Sequence, residues 1–154
     1  MTSEYGKPYD SPGFLLWQVT NLWQKNLRQA LHDLDLTHVQ FILLASTEWL
    51  NTQSTQEDVT QAQIAGHAHI DPMMASQVLR NLEKKGFLIR KEHPTDTRAK
   101  SISLTQAGER MVSQALDIVV KADRRFFAKL GEDQVTLANL MRTLGSTTIH
   151  EIRS

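Results

Sequence analysis

The chain contains no cysteine among its 154 residues. That absence removes a disulfide scaffold, a thiolate metal site, a catalytic cysteine and a thiol redox switch in one step. Long apolar runs are missing too: none approaches the roughly 18 residues needed to span a bilayer. The opening MTSEYGKPYDSPG lacks the basic-then-apolar order of a secretory signal. A cytoplasmic protein with no membrane partner is the expectation. No Gly-rich phosphate loop, HExxH helix or nucleophile elbow occurs, so no catalytic residue and no cofactor is assigned, and an enzyme is not expected. His67 and His69 form an H-x-H at the end of a helical stretch, where their faces diverge, and the other histidines are scattered. No metal site is expected from them.

An excess of charge of either sign is also lacking, with 17 basic and 17 acidic residues, but their placement is uneven. Residues 1–71 carry three Lys/Arg against eight Asp/Glu, and residues 105–154 carry seven against six. Between them, residues 72–104 hold Arg80, Lys84, Lys85, Arg90, Lys91, Arg98 and Lys100 against Glu83, Glu92 and Asp96, a net of +4. Such a local footprint is what a polyanion-binding surface requires. A solvated helix face beside a hairpin is the other reading of the same charges. Apolar residues at 40% and charged residues at 22% are those of an ordinary globular chain. The length allows one domain with a buried core plus an oligomerisation arm.

Taken in order, Ser11-Pro12 opens a first helix, because Pro suits the first helical position after a capping Ser. Leu15, Val19, Leu22, Trp23, Leu27, Ala30, Leu31 and Leu34 recur at spacings of three and four and mark one broad apolar face. A helix of about 20 residues is long for so small a domain, so this face is expected to be shared between core and dimer contact, mostly the latter. Thr37 to Gln40 has capping-box spacing. It opens a second helix with Phe41, Leu44, Ala45 and Trp49 inward, and NTQSTQED follows as a loop. Thr60 to Gln63 repeats the box before a short helix carrying Ile64, Ala65 and Ala68. Asp71 then caps a new helix with Pro72 in its first position. A short helix, a tight connection and a second helix form a helix-turn-helix. The second buries Ala75, Val78, Leu79 and Leu82, presents Met73, Ser76, Gln77, Arg80, Asn81 and Lys84, and ends at Gly86. Phe87–Lys91 and Ala99–Leu104 read as strands around a charged turn. Thr105 caps a long helix with Ala107, Met111, Ala115, Ile118, Val119, Ala122 and Phe126 on one face. After Gly131 a last helix carries Leu137, Leu140, Met141 and Leu144 and gives way to a frayed polar tail.

Several of these pieces, in order, resemble the MarR family of winged helix-turn-helix regulators. They are Leu36-Thr37-x-x-Gln40, Gln63-Ile64-Ala65, the run Leu82-Glu83-Lys84-Lys85-Gly86-Phe87-Leu88-Ile89-Arg90, Asp96-Thr97-Arg98-Ala99-Lys100, and Ser103-Leu104-Thr105-Gln106-Ala107-Gly108. The resemblance implies a homodimer held by its terminal helices, presenting two winged modules to a palindromic operator. It also implies a repressor whose DNA affinity falls when a small anionic or phenolic molecule binds. By the same resemblance Arg98 reaches the minor groove from the wing, Asp96 holds the wing in shape, and the helix at 72–85 lies in the major groove. His67 to Met74 departs from the Ser/Thr-rich start common in the family, and Met73 and Met74 offer packing on thymine methyls rather than hydrogen bonds. The lack of cysteine excludes the thiol-dependent, peroxide-sensing branch.

The expected architecture is therefore mostly α: a winged helix-turn-helix with a small two- to three-stranded β-wing over 36–105, and dimerisation helices over 1–35 and 106–154. The expected partners are double-stranded DNA, a second copy of the chain and a small effector. The DNA-binding set is Met73, Ser76, Gln77, Arg80, Lys84, Arg90, Asp96, Arg98 and Lys100. Arg98 leads it, since a guanidinium suits a narrow, negative minor groove. Arg80 fits either guanine readout or a phosphate. Ser76 and Gln77 occupy the half of a recognition helix that meets base edges. Lys84, Lys85 and Lys100 read as backbone-positioning charges. Trp23, His38 and Phe41 are the candidate effector residues, against a reading of the aromatics as core or dimer contacts. Two rivals share the same fold: a winged helix used for protein–protein contact, and a DNA-binding regulator with no small-molecule effector.

Overall fold

The computed structural model describes residues 6–53, 58–92, 95 and 100–153, with backbone alone for 147–153. It divides into two compact units, Met1–Val119 and Val120–Ser154. In the first unit the Ser11 hydroxyl accepts from the Phe14 N–H at 3.3 Å and starts α1, Pro12–Leu31. Only the C-terminal end of α1 is buried, through Leu27 and Leu31. Leu15, Leu16, Trp17, Val19 and Leu22 stay exposed within the chain. A single 3-10 turn, His32–Leu34, follows, and Asp35 closes it in the left-handed region (φ 49°), a conformation that Asp tolerates better than most residues.

The capping box at Thr37 forms in both directions: Gln40 N–H donates to Thr37 Oγ1 at 3.1 Å, and Thr37 N–H donates to Gln40 Oε1 at 3.0 Å. It opens α2, His38–Gln53. The inward face of α2 differs from the expected one. Phe41 and Leu44 are buried, but so are Gln40, Leu43, Ser46 and Thr47, whereas Ala45 is only half-buried and Trp49 is 55% exposed. Gln40, Leu43, Leu44 and Thr47 share one stripe, and Trp49 lies two residues, about 200°, around the helix from Thr47. Thr47 tolerates full burial because its hydroxyl donates to the Leu43 carbonyl at 2.7 Å. The helix also runs through Asn51–Gln53, which composition alone placed in a loop.

The second capping box, at Thr60, opens α3, Gln61–Ala68, with Ile64 and Ala65 buried. His69, left-handed at φ 53°, turns the chain, and Asp71 Oδ2 then accepts from both Met73 and Met74 N–H at 3.1 Å to begin α4, Pro72–Lys84. Ala75, Leu79 and Leu82 are fully buried and Val78 half-buried, so the predicted stripe is the real one. Gly86 (φ 83°) ends the helix with its N–H on Glu83 O at 2.9 Å while Phe87 N–H reaches Leu82 O at 3.0 Å. This is the paired bonding of a Schellman cap, and the positive φ is why glycine stands there.

Strands β1, Leu88–Glu92, and β2, Lys100–Leu104, pair antiparallel with Leu88 opposite Leu104 and Glu92 opposite Lys100. A bridge from Thr60 to Ser101, with Ile102 N–H on Val59 O at 2.8 Å, adds a third rung without a full strand. Asp96 and Arg98, in the turn between β1 and β2, lie outside the described residues. Thr105 then locks the next helix to the α4–β1 corner. Its hydroxyl donates to Gly86 O at 2.6 Å and accepts from Gly108 N–H at 3.1 Å. Gly108 packs so closely on the Phe87 backbone that a Cβ there would overlap the Phe87 carbonyl. Helix α5, Gln106–Phe127, buries Ala115, Val119 and Ala122 as expected, and Val112 rather than Met111 completes the stripe.

In the second unit α6 runs Asp133–Arg153, so the polar tail expected to fray is helical backbone. Val135, Leu140, Met141 and Leu144 on α6 are exposed within the chain. No described helix is long and apolar enough to cross a membrane.

Candidate nucleic-acid interface and aromatic corner

With Ala75, Leu79 and Leu82 turned inward, the opposite face of α4 is set by helical geometry. Met73, Gln77, Arg80, Asn81 and Lys84 are exposed on it, with Ser76 half-buried at its edge. Met73, at 82%, is the most exposed large apolar side chain among the described residues. Arg80 Nη2 donates to Ser76 Oγ at 3.3 Å, one turn back, which pre-orders the guanidinium along the helix. The stripe therefore changes character along its length: apolar at Met73, polar and neutral at Ser76 and Gln77, cationic at Arg80 and Lys84. Asp71 already occupies the amides of Met73 and Met74, so the leading end of α4 is satisfied internally.

The remaining cations of the positive segment separate on closer view. Lys100 is exposed at the head of β2. Arg90 is half-buried, opposite the buried Ile102, so it shares the inward face of the sheet. Its N–H donates to Glu83 Oε2 at 3.3 Å, and its Nε is buried without a partner among the described residues. Lys85 is not a free backbone-positioning charge. Its Nζ donates to Asp35 O at 2.8 Å and to Gln40 Oε1 at 3.5 Å and lies 3.9 Å from Asp35 Oδ2. Lys84 and Lys85 are neighbours in sequence and diverge in space by one helical step of about 100°. Nothing in their local sequence distinguishes them. The partner of Lys85 lies 50 residues away.

The three aromatic candidates do come together. Trp23 on α1 meets His38 edge-to-face with ring centroids 5.0 Å apart, and His38 stacks with Phe41 at 6.5 Å. Phe41 is buried, while Trp23 and His38 are half-buried at the corner where α1 gives way to α2. Trp17 and Trp49 stand apart and exposed. Gln40, which sequence reasoning treated only as half of a capping box, sits on the next turn of the same helix and faces Lys85.

Comparison with known proteins places this arrangement. The family model described as "MarR family" matches residues 36–100, from the α1–α2 corner through the helix-turn-helix to the head of β2. The chain is 44% identical over 142 residues to YdcH of Bacillus subtilis, an uncharacterized HTH-type transcriptional regulator, covering 92% of this chain and 95% of that one. It is 30% identical over 139 residues to an HTH-type transcriptional repressor of Mycobacterium tuberculosis, covering 89% and 96%. Among solved structures, it is similar to CouR of Rhodococcus jostii RHA1 bound to p-coumaroyl-CoA, with a TM-score of 0.76, 28% identity and coverage of 94% and 95%. It is also similar to MepR of S. aureus in complex with DNA, with a TM-score of 0.76, 27% identity and coverage of 88% and 98%. The chain belongs to the MarR family and is a winged helix-turn-helix transcriptional regulator.

Proposed function

We propose that the protein represses transcription by binding a palindromic DNA operator as a homodimer, and that a small anionic or phenolic molecule at the Trp23–His38–Phe41 corner releases it. The observation that carries the DNA reading is the outer stripe of α4, graded from Met73 through Ser76 and Gln77 to Arg80 and Lys84. It is exposed along its length while the opposite stripe is fully buried. The likeness to MepR, solved with DNA, and to a mycobacterial repressor supports both the partner and the sign of regulation. Lys100 adds a phosphate contact beside the stripe, Arg98 enters the minor groove and Asp96 holds the wing. Arg90 acts from the inner face of the wing, steadying the sheet rather than reading bases.

Residues 1–35 and 106–154 supply the dimer contact. The exposed apolar rows of α1 and α6, each open within the chain, support this assignment; rows of that size are characteristic of association surfaces. A two-fold dimer places its recognition helices about 34–36 Å apart, in successive major grooves. The effector reading draws on the aromatic corner and on the likeness to CouR, solved with a phenolic acyl-CoA.

Selection of bound DNA from a random pool tests the whole reading. The expected product is an inverted repeat whose half-sites lie one helical turn apart, bound by a dimer with affinity falling steeply in salt as counterions are released. Recovery of no enriched sequence, or a complex insensitive to salt, would overturn it. Arg98→Ala is expected to weaken binding, with the largest loss at A·T-rich flanks where the minor groove is narrow.

A further inference from the structure

We propose that Lys85 is a positioning residue: it ties the C-terminal end of the recognition helix to the first turn of α2 and makes no contact with DNA phosphate. This inference rests on the DNA-binding reading of α4.

An ammonium has three donors and no acceptor. Around Lys85 Nζ the structure places three oxygens: Asp35 O at 2.8 Å, Gln40 Oε1 at 3.5 Å and Asp35 Oδ2 at 3.9 Å. The carbonyl is the strong partner. The Asp35 carboxylate is fully exposed and adds little, because a solvated ion pair is screened. A side chain whose head already has three oxygens around it must break those contacts before it can meet a phosphate. Lys84, one residue earlier, is exposed and carries no such arrangement among the described residues.

Both ends of the tie are fixed points. Lys85 is the cap residue of α4, followed by the Gly86 turn. Asp35 is held left-handed at φ 49°, with its N–H on His32 O at 3.0 Å. Gln40 is nearly buried, and its Oε1 also accepts from Thr37 N–H, so one oxygen closes the first turn of α2 and faces the lysine. His38 lies in that same turn, with its ring between Trp23 and Phe41. The tie therefore joins the aromatic corner to the recognition helix through a short run of polar contacts. A displacement of the first α2 turn loosens the cap of α4, and seating α4 in a groove constrains the α2 turn in return, as reciprocity of coupling requires.

The test compares neighbouring lysines in the full-length protein on its selected operator. Lys85→Met keeps the apolar stem and removes the donors. Its affinity is expected to fall about tenfold, the cost of one charged hydrogen bond, with the slope of log K against log salt unchanged. Lys84→Met is expected to lower that slope by about 0.9, the signature of one lost phosphate contact. Lys85→Arg, which keeps donors at the same place, restores affinity to near the original. If Lys85→Met does not fold, Lys85→Gln carries the same comparison. Two results overturn the proposal: unchanged affinity of the folded Lys85 variant, which leaves the tie a matter of stability alone, or a slope reduced like that of Lys84→Met. If the unaltered protein binds no DNA while fully folded, the DNA-binding reading fails first, and the proposal with it.

Discussion

Helices α4 and α1 are both amphipathic, and they dispose of their apolar stripes in opposite ways. In α4 the stripe Ala75, Leu79 and Leu82 is wholly buried by the same chain, so the outer face is free for a partner. In α1 only Leu27 and Leu31 are buried, while Leu16 (60% exposed), Trp17 (68%) and Leu22 (54%) are left to water. The winged module is complete as a single chain, whereas the N-terminal arm is complete only when covered. Periodicity marks both helices as amphipathic and does not tell which apolar face finds its cover inside the chain.

That contrast can be broken on the module side by Gly108→Val. A side chain there meets the Phe87 backbone, which has no way to yield without undoing the Thr105–Gly86 lock. Denaturant unfolding is expected to show a loss of at least about 3 kcal/mol, beyond ordinary overpacking because the clash is with backbone. A variant of unchanged stability would mean that α5 does not depend on this corner.

It can be broken on the arm side by Leu22→Lys. The substitution is expected to weaken self-association by about a hundredfold, the scale of a central interface anchor. Sedimentation should show monomers, while circular dichroism and the unfolding midpoint of the module stay close to the original. Loss of helix along with the dimer would show that α1 is needed by the module as well.

Asp71→Ala sharpens the module side by removing the cap that holds two amides at the head of α4. The expected cost is about 1 kcal/mol in unfolding free energy, with weaker operator binding as the leading turn frays. Hydrogen exchange at the Met73 and Met74 amides should rise first.

The smallest effect concerns what the leading end reads. Replacing thymine by uracil at the half-site position under Met73 removes one methyl group from the groove. Binding is expected to drop about fourfold, near 0.8 kcal/mol for one buried methyl, and Met73→Ala should erase the difference. An equal loss in both proteins would take Met73 out of base readout.

Much of the fold could be read from local chemistry. Both capping boxes, the Asp71-Pro72 start, the Gly86 stop and the Thr105 cap appear where their spacing placed them, because each joins groups within a few residues. The misreadings arose where distance in sequence or rotation on a helix decided the outcome. Trp49 reads as core by composition, yet the rotation of α2 carries it out and takes Thr47 in. The end of α2 reads as loop because Asn, Thr and Gln are poor helix residues, and Thr52 instead closes its hydroxyl on Trp49 O at 2.7 Å. The candidate site divides in the same way: the outer residues of α4 are legible from the 3.6-residue period, and the gathering of Trp23, His38 and Phe41 was only expected by resemblance.

By itself, then, the sequence determined the order and limits of the helices, the charge segment between residues 72 and 104, and the two faces of α4. These follow from contacts within one or two turns, where residue identity and backbone geometry suffice. The tertiary structure alone decided what the cations do. Lys84 and Lys85 are chemically identical neighbours. One faces solvent, and the other is held by a carbonyl 50 residues away because the α1–α2 corner folds beneath the end of α4.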